Sequence, residues 1–169
     1  MIQGFSQAGA IVTGYTLGEG DKEKAQKQGY AFLGIGVVFG LLAAGIVMLI
    51  SEPMIMAYNL SAETQAIARQ LMLSISIIIV FQATNSIMTK GVLRGGGDTK
   101  VLMTADNIFL WVASLPLGII AGLVLHLPAF WIYFFLKVDQ VLKAVWCVIR
   151  LRSGKWIKKI KTSAELAEE

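Results

Sequence analysis

Three stretches of this chain, Met1 to Gly18, Gln28 to Ser51 and Gln70 to Thr89, contain no Asp, Glu, Lys or Arg, and a fourth runs from Asn107 to Leu136. A soluble domain covers its surface with charge, and one buried core cannot absorb apolar runs of this length one after another. With 56% hydrophobic and 15% charged residues, the chain departs from the ~45–50% apolar and ~25% charged of soluble domains in the direction that lipid as solvent demands. In a bilayer every backbone polar group must be satisfied within the spanning element, which leaves helices or closed barrels. Barrels need ~10-residue alternating segments, and none is present. The expected fold class is all-α, a polytopic membrane protein with about five transmembrane helices over 1–18, 26–51, 62–93, 99–125 and 129–152. A tail over 153–169 follows, basic and then acidic. Most of these segments reach the ~20 residues that cross a ~30 Å hydrocarbon core. Leu125-His126-Leu127-Pro128 marks the turn between the last two.

Charge placement orients the bundle. With five alternating spans, Lys22, Lys24, Lys27, Lys90, Arg94 and Lys100 share one side with Arg150, Arg152, Lys155, Lys158, Lys159 and Lys161. The opposite loops offer Glu52, Glu63, Arg69 and His126. By the positive-inside rule the crowded side, with the C-terminus, is cytoplasmic. The basic tail therefore reads as a membrane-surface feature and not as a nucleic-acid site. Residues 1–18 make a poor signal peptide, because no cation precedes the apolar run and Gln3, Ser6 and Gln7 interrupt it. Met1 then falls outside with no positive anchor, so it reads as an internal start whose orientation was set by earlier helices. Gln3, Gln7, Ala10 and Gly14, spaced four, three and four, form a helix face expected to meet a neighbouring helix.

Several chemistries are disfavoured. Cys147 and His126 are single and far apart, so neither a metal site nor a thiol nucleophile pair is expected. No pair of catalytic groups stands at helical spacing in the apolar segments, which argues against an enzyme. Polar residues inside such segments are the better functional pointers. Gln82, Asn85 and Thr89 form one stripe, and Thr104, Asn107, Trp111 and Ser114, continued by Gly118, form a second. The two stripes either line a cavity or hydrogen-bond between helices. Asp106 lies about two turns into the fourth helix, where it either titrates or pairs with Lys100 or Lys90; Trp111 offers an aromatic face to a cationic or aromatic substrate. Asp139 and Lys143, four apart with the acid first, are positioned for an intramembrane ion pair. At ~1.5 Å per residue from Pro128, Asp139 sits about 16 Å deep, so this face should meet protein.

The third helix ends in GVLRGGGDTK at 91–100, where the glycines stop one helix and Asp98 or Thr99 can cap the next. Arg94 and Lys100 can anchor in anionic headgroups there. Leu93, Arg94, Gly95, Gly97, Asp98 and Thr99 resemble the LRGxGDT corner of multidrug and toxin extrusion (MATE) transporters. In the same order, GYTLGEGDKEKA at 14–25 resembles that family's GxxLGxGDxxxA loop, and Trp111 to Gly118 its W-x4-P-x-G stretch. Asp139 to Lys143 with RLRSGKW at 150–156 resembles its final helix and exit.

The resemblance implies helices eight to twelve of a twelve-helix transporter, a partial six-helix lobe. It also implies proton- or sodium-coupled export of small cationic or aromatic compounds across the plasma membrane by alternating access. No cofactor beyond the coupling ion is implied. The partners implied are the lipid bilayer, the N-terminal lobe and the preceding helix. Members that hold a coupling cation in this lobe use carboxylates on helices seven, eight and ten, and here helices one and three carry no acid at membrane depth. Two other readings stand beside it: a truncated membrane protein acting as an assembly subunit, and a related lipid-linked saccharide flippase, which fits the helix count but not the corner.

Overall fold

The structure is a computed structural model and describes residues 2–58 and 61–157. The tail lysines Lys158, Lys159 and Lys161, and most of the predicted 153–169 tail, lie outside the described residues. Among those residues every regular element is helical: α1 (Ile2–Gly18), α2 (Lys22–Ala57), α3 (Ala62–Leu93), α4 (Thr99–Val124), α5 (Ala129–Leu136) and α6 (Val138–Ser153). The protein is an all-α polytopic membrane protein, and α2, α3 and α4 are each long and apolar enough to cross a bilayer.

Local chemistry explains the boundaries. Asp21 starts α2 four residues ahead of the expected 26, because its carboxylate accepts the Lys24 N–H at 2.9 Å. At the other end α2 runs through Pro53 to Ala57 and past the expected Ser51. Pro53 holds a helical φ but withholds one N–H and crowds the carbonyl four residues back, so the last turn of α2 continues past it with one backbone bond fewer. Ser61 caps α3 through the Thr64 N–H, and Gly154 ends α6 in the left-handed region at φ 66°.

α2 and α3 pack as an antiparallel hairpin, the most extensive helix pair in the molecule. A Cβ on Gly40 would lie 2.8 Å from the Val80 Cα and O, so the backbones touch where any side chain would hold them apart. α1 lies against the end of α3 in the same manner, with Gly91 over Ser6 and Gly95 over Ala10. The face that α1 buries is Ser6, Gly9, Thr13, Thr16 and Leu17. Of the expected Gln3, Gln7, Ala10 and Gly14 stripe, Ala10 and Gly14 meet Gly95 of α3 while Gln3 and Gln7 stay exposed, because close backbone packing selects the smallest side chains and not the most polar ones.

The expected single helix over 129–152 is two. Lys137 leaves helical geometry at φ −116°, ψ 12°, ending α5 and starting α6. The Ser114 hydroxyl of α4 donates to the Leu136 carbonyl, and Phe135 O lies 3.5 Å from it. A donor on a neighbouring helix thus takes up carbonyls left over at the break. Gly118, one turn further along α4, leaves room for Leu136. Composition alone does not announce such a break.

α3 and α4 also widen locally into π-helical turns, over Met88–Leu93, Phe109–Ser114 and Ile120–Val124. The second immediately precedes Pro116, whose ring clashes with an α-helical carbonyl four residues back. The inserted residue changes which side chains face inward. The least exposed positions of α4 run from buried Leu102 through half-buried Ala105 and Phe109, at the edge of its packed face, then by a step of five to buried Ser114, Gly118 and Ala121.

A polar cleft at a helix break

Gln82, Asn85, Ser86, Thr89 and Lys90 of α3, Asp106 of α4, and Gln140 and Lys143 of α6 enclose a cleft of about 190 Å³. At its base Lys143 Nζ lies 3.2 Å from Asp139 Oδ2 and 3.2 Å from Asp106 Oδ1, so one ammonium joins two carboxylates on different helices. Asp106 pairs with Lys143 of the neighbouring helix in place of the expected Lys90 or Lys100, although Lys90 lines the same cleft. Asp139 is 4% exposed and Asp106 51%, so Lys143 links a buried carboxylate to a wet one. Burying Asp139 as an anion requires partners. It accepts from Gln140 Nε2 at 2.6 Å besides Lys143, and Ser114 Oγ lies 3.4 Å away. It also occupies the first turn of α6, where the helix dipole favours a negative charge. The break at Lys137 creates that helix start at the depth where Asp139 sits.

Asn85 ties α3 to the same network. Its Nδ2 donates to the Gln140 main-chain oxygen at 2.6 Å and to Gln140 Oε1 at 3.2 Å. A main-chain oxygen only accepts, which fixes the amide orientation. Asn85 Oδ1 is left buried with no donor, and an unsatisfied buried acceptor costs about 1–3 kcal/mol. A donor entering the cleft would recover that.

Of the residues singled out from sequence, Gln82, Asn85, Thr89, Asp106 and Lys143 meet in the cleft and Asp139 stands behind it. Asn107 and Trp111 lie on the outer face of α4: Asn107 Nδ2 bonds its own helix at Met103 O, and Trp111 is 66% exposed. Gln140, which bridges Asn85 and Asp139, was not singled out, although its place beside Asp139 was the available signal.

The corner is built differently. Gly97 turns the chain at φ 83°, a left-handed conformation that favours glycine. Leu93 is buried, Gly96 lies beneath the ring of Trp156, and Gly95 meets α1. Arg94 stays exposed, and Thr99 opens α4. Asp98 stands at the start of α4, but its carboxylate reaches Arg150 of α6 at 2.8 Å instead of capping the helix. Beside it Trp156 Nε1 donates to Gln26 Oε1 at 3.0 Å while Gln26 Nε2 donates to Leu151 O at 2.5 Å. Arg150, Gln26 and Trp156 thus tie the corner to α2 and α6.

The MatE family model matches residues 1–120. The chain is 30% identical over 165 residues to the multidrug resistance protein MdtK of Yersinia pseudotuberculosis serotype O:1b, covering 94% of this chain and 35% of that protein. The MdtK of Yersinia pestis strain Pestoides F matches to the same extent. The MdtK of Photorhabdus laumondii is 33% identical over 138 residues, 78% of this chain and 30% of its own. The chain therefore spans about a third of the length of these curated relatives. No solved structure matches it significantly. A family-model match over most of the chain, and relatives aligned along nearly all of it, show that this multi-pass membrane protein belongs to the MatE family of multidrug and toxin extrusion transporters.

Proposed function

We propose that this chain forms most of the C-terminal lobe of a multidrug efflux antiporter in the plasma membrane, coupled to a proton or sodium gradient and working by alternating access. Its C-terminus faces the cytoplasm. It acts together with an N-terminal lobe and one preceding helix. The observation that carries this reading is the Asp139–Lys143–Asp106 bridge beside the break at Lys137. Secondary transporters place polar sites next to interrupted helices near the midplane, where helix ends supply partial charge. Gln82, Asn85 and Asp106 line the pathway. Asp106, the wet partner, is the member of the bridge that a coupling ion or a cationic substrate reaches first, and Lys143 then keeps Asp139 neutralised. Asn107 and Trp111 face away from the cleft and serve packing or the bilayer. Small cationic or aromatic compounds are the proposed substrates, the class that the family resemblance implies; the relatives' name speaks of multidrug resistance.

The test is extrusion of a cationic dye from a pump-deficient host. The 169-residue chain alone is expected to give no gradient-driven efflux, and its in-frame joining to the N-terminal lobe of an MdtK relative is expected to restore it. Efflux by the chain alone would overturn the need for a second lobe. Absence of efflux from the joined protein, with surface expression intact, would favour the non-transporting assembly subunit.

A further inference from the structure

A second cavity, larger than the polar cleft, opens on the outside of the bundle between α4 and α6 and has a volume of about 450 Å³. Its walls are mostly apolar: Val101, Ala105, Ile108 and Phe109 from α4, and Trp146 from α6, with Thr104 the one polar residue among them, its hydroxyl donating to the Lys100 carbonyl. Lys100 closes one end. The α4 residues that line it recur one turn apart from Lys100 to Phe109, so the cavity is a groove running about 14 Å along the helix from its basic end.

Lys100 is the cation that lines this groove. It occupies the first turn of α4, where the helix dipole disfavours a cation. No carboxylate lies within 4 Å of it among the described residues: Asp98 pairs with Arg150 and Asp106 with Lys143. Without a carboxylate partner among the described residues, it stands at the head of a mostly apolar groove on the surface of a membrane protein. The matching occupant has an anion at one end and a hydrocarbon chain at the other. A compact organic cation would meet Lys100 at the entrance and be repelled, and a neutral lipid would leave the ammonium unpaired.

We propose that this groove is a binding site for an anionic glycerophospholipid, its phosphate at Lys100 and an acyl chain along Val101, Ala105, Ile108 and Phe109 against the Trp146 ring. The site goes beyond general attraction of basic loops to a charged leaflet, because it adds a cavity for the chain below the cation. It is separate from the polar cleft and does not depend on the transport reading.

Trp146 in the groove wall provides the readout. The full chain in detergent micelles is titrated with acyl-brominated phosphatidylglycerol or phosphatidylcholine, and the Trp146 component of fluorescence quenching is isolated by subtracting the Trp146→Phe signal. The phosphatidylglycerol lipid is expected to quench Trp146 at about fivefold lower mole fraction than phosphatidylcholine, the contribution of one lysine near the surface. Lys100→Gln should remove the preference, and Lys155→Gln, a cation outside the groove, should keep it. Equal quenching by both lipids, a preference that survives Lys100→Gln, or one lost equally in Lys155→Gln would overturn the site. So would failure of either lipid to reach Trp146, the outcome expected if another protein segment fills the groove.

Discussion

The outer face of α2 and the cleft between α3, α4 and α6 are both exposed, and they are built on opposite principles. Along α2, Val38, Leu41, Leu42, Ile46 and Leu49 point outward with nothing packed on them. In the cleft an amide, a hydroxyl, an ammonium and carboxylates face one another across a few ångströms. Lipid stabilises the first face without help from the protein, so its side chains are interchangeable as long as they stay apolar. In the second, Lys143 serves the two carboxylates Asp106 and Asp139 at once, so these three residues act as a set. Exposure alone does not separate lipid-facing surface from pathway, but dependence on partners does.

That contrast can be broken most severely at Lys143. Lys143→Met should cost about 3–5 kcal/mol of stability, because it strands Asp139 as a buried anion. The double variant Asp139→Asn/Lys143→Met should recover most of that loss in thermal unfolding in detergent. A full cost in the double variant would show that the pair is not what holds the cleft. Next in size, Leu41→Lys near the middle of α2 should cost about 2.5–3.5 kcal/mol in a membrane-insertion assay, the penalty for a charge at bilayer centre. A smaller effect would mean that this face meets protein or water. Gly40→Val tests the seam behind the lipid face, where a side chain would drive α2 off Val80; about 1–3 kcal/mol is expected from chemical denaturation. Asp106→Asn should change stability by less than about 1 kcal/mol, since half of that carboxylate is already in water, while in the joined transporter it should reduce dye efflux at least tenfold. Unchanged efflux would remove Asp106 from the pathway. Smallest of all, Leu49→Ala should leave thermal stability within about 0.5 kcal/mol, as lipid replaces what is lost.

Much of the fold could be read from the chain because lipid imposes a coarse rule: charge-free runs become helices, and glycine and acid mark the corners. Gln82, Asn85 and Asp106 were legible for the same reason, since polar groups in an apolar run stand out. Asn107 and Trp111 stand off the cleft that Gln82, Asn85 and Asp106 line for a reason of phase. A constant 3.6-residue period carries them onto the face of Ser114 and Gly118. The π-helical turn at Phe109–Ser114 inserts a residue between the two halves of α4 and rotates its first half outward. The break at Lys137 was illegible for a related reason. What stabilises it is the hydroxyl of Ser114, more than twenty residues away in sequence, and no local pattern records a donor on another helix. Asp98 shows the same limit, because a residue placed to cap α4 was claimed by Arg150 from across the bundle.

The tie between Asp98 and Arg150, with Gln26 and Trp156 beside it, joins the start of α2, the α3–α4 corner and the end of α6 at one membrane surface. Riveted there, these helices share a fulcrum, and any spreading between them grows with distance from it, like the jaws of tongs. Sideways travel is then greatest on the far side of the bilayer, and at the basic end the bundle moves as one piece.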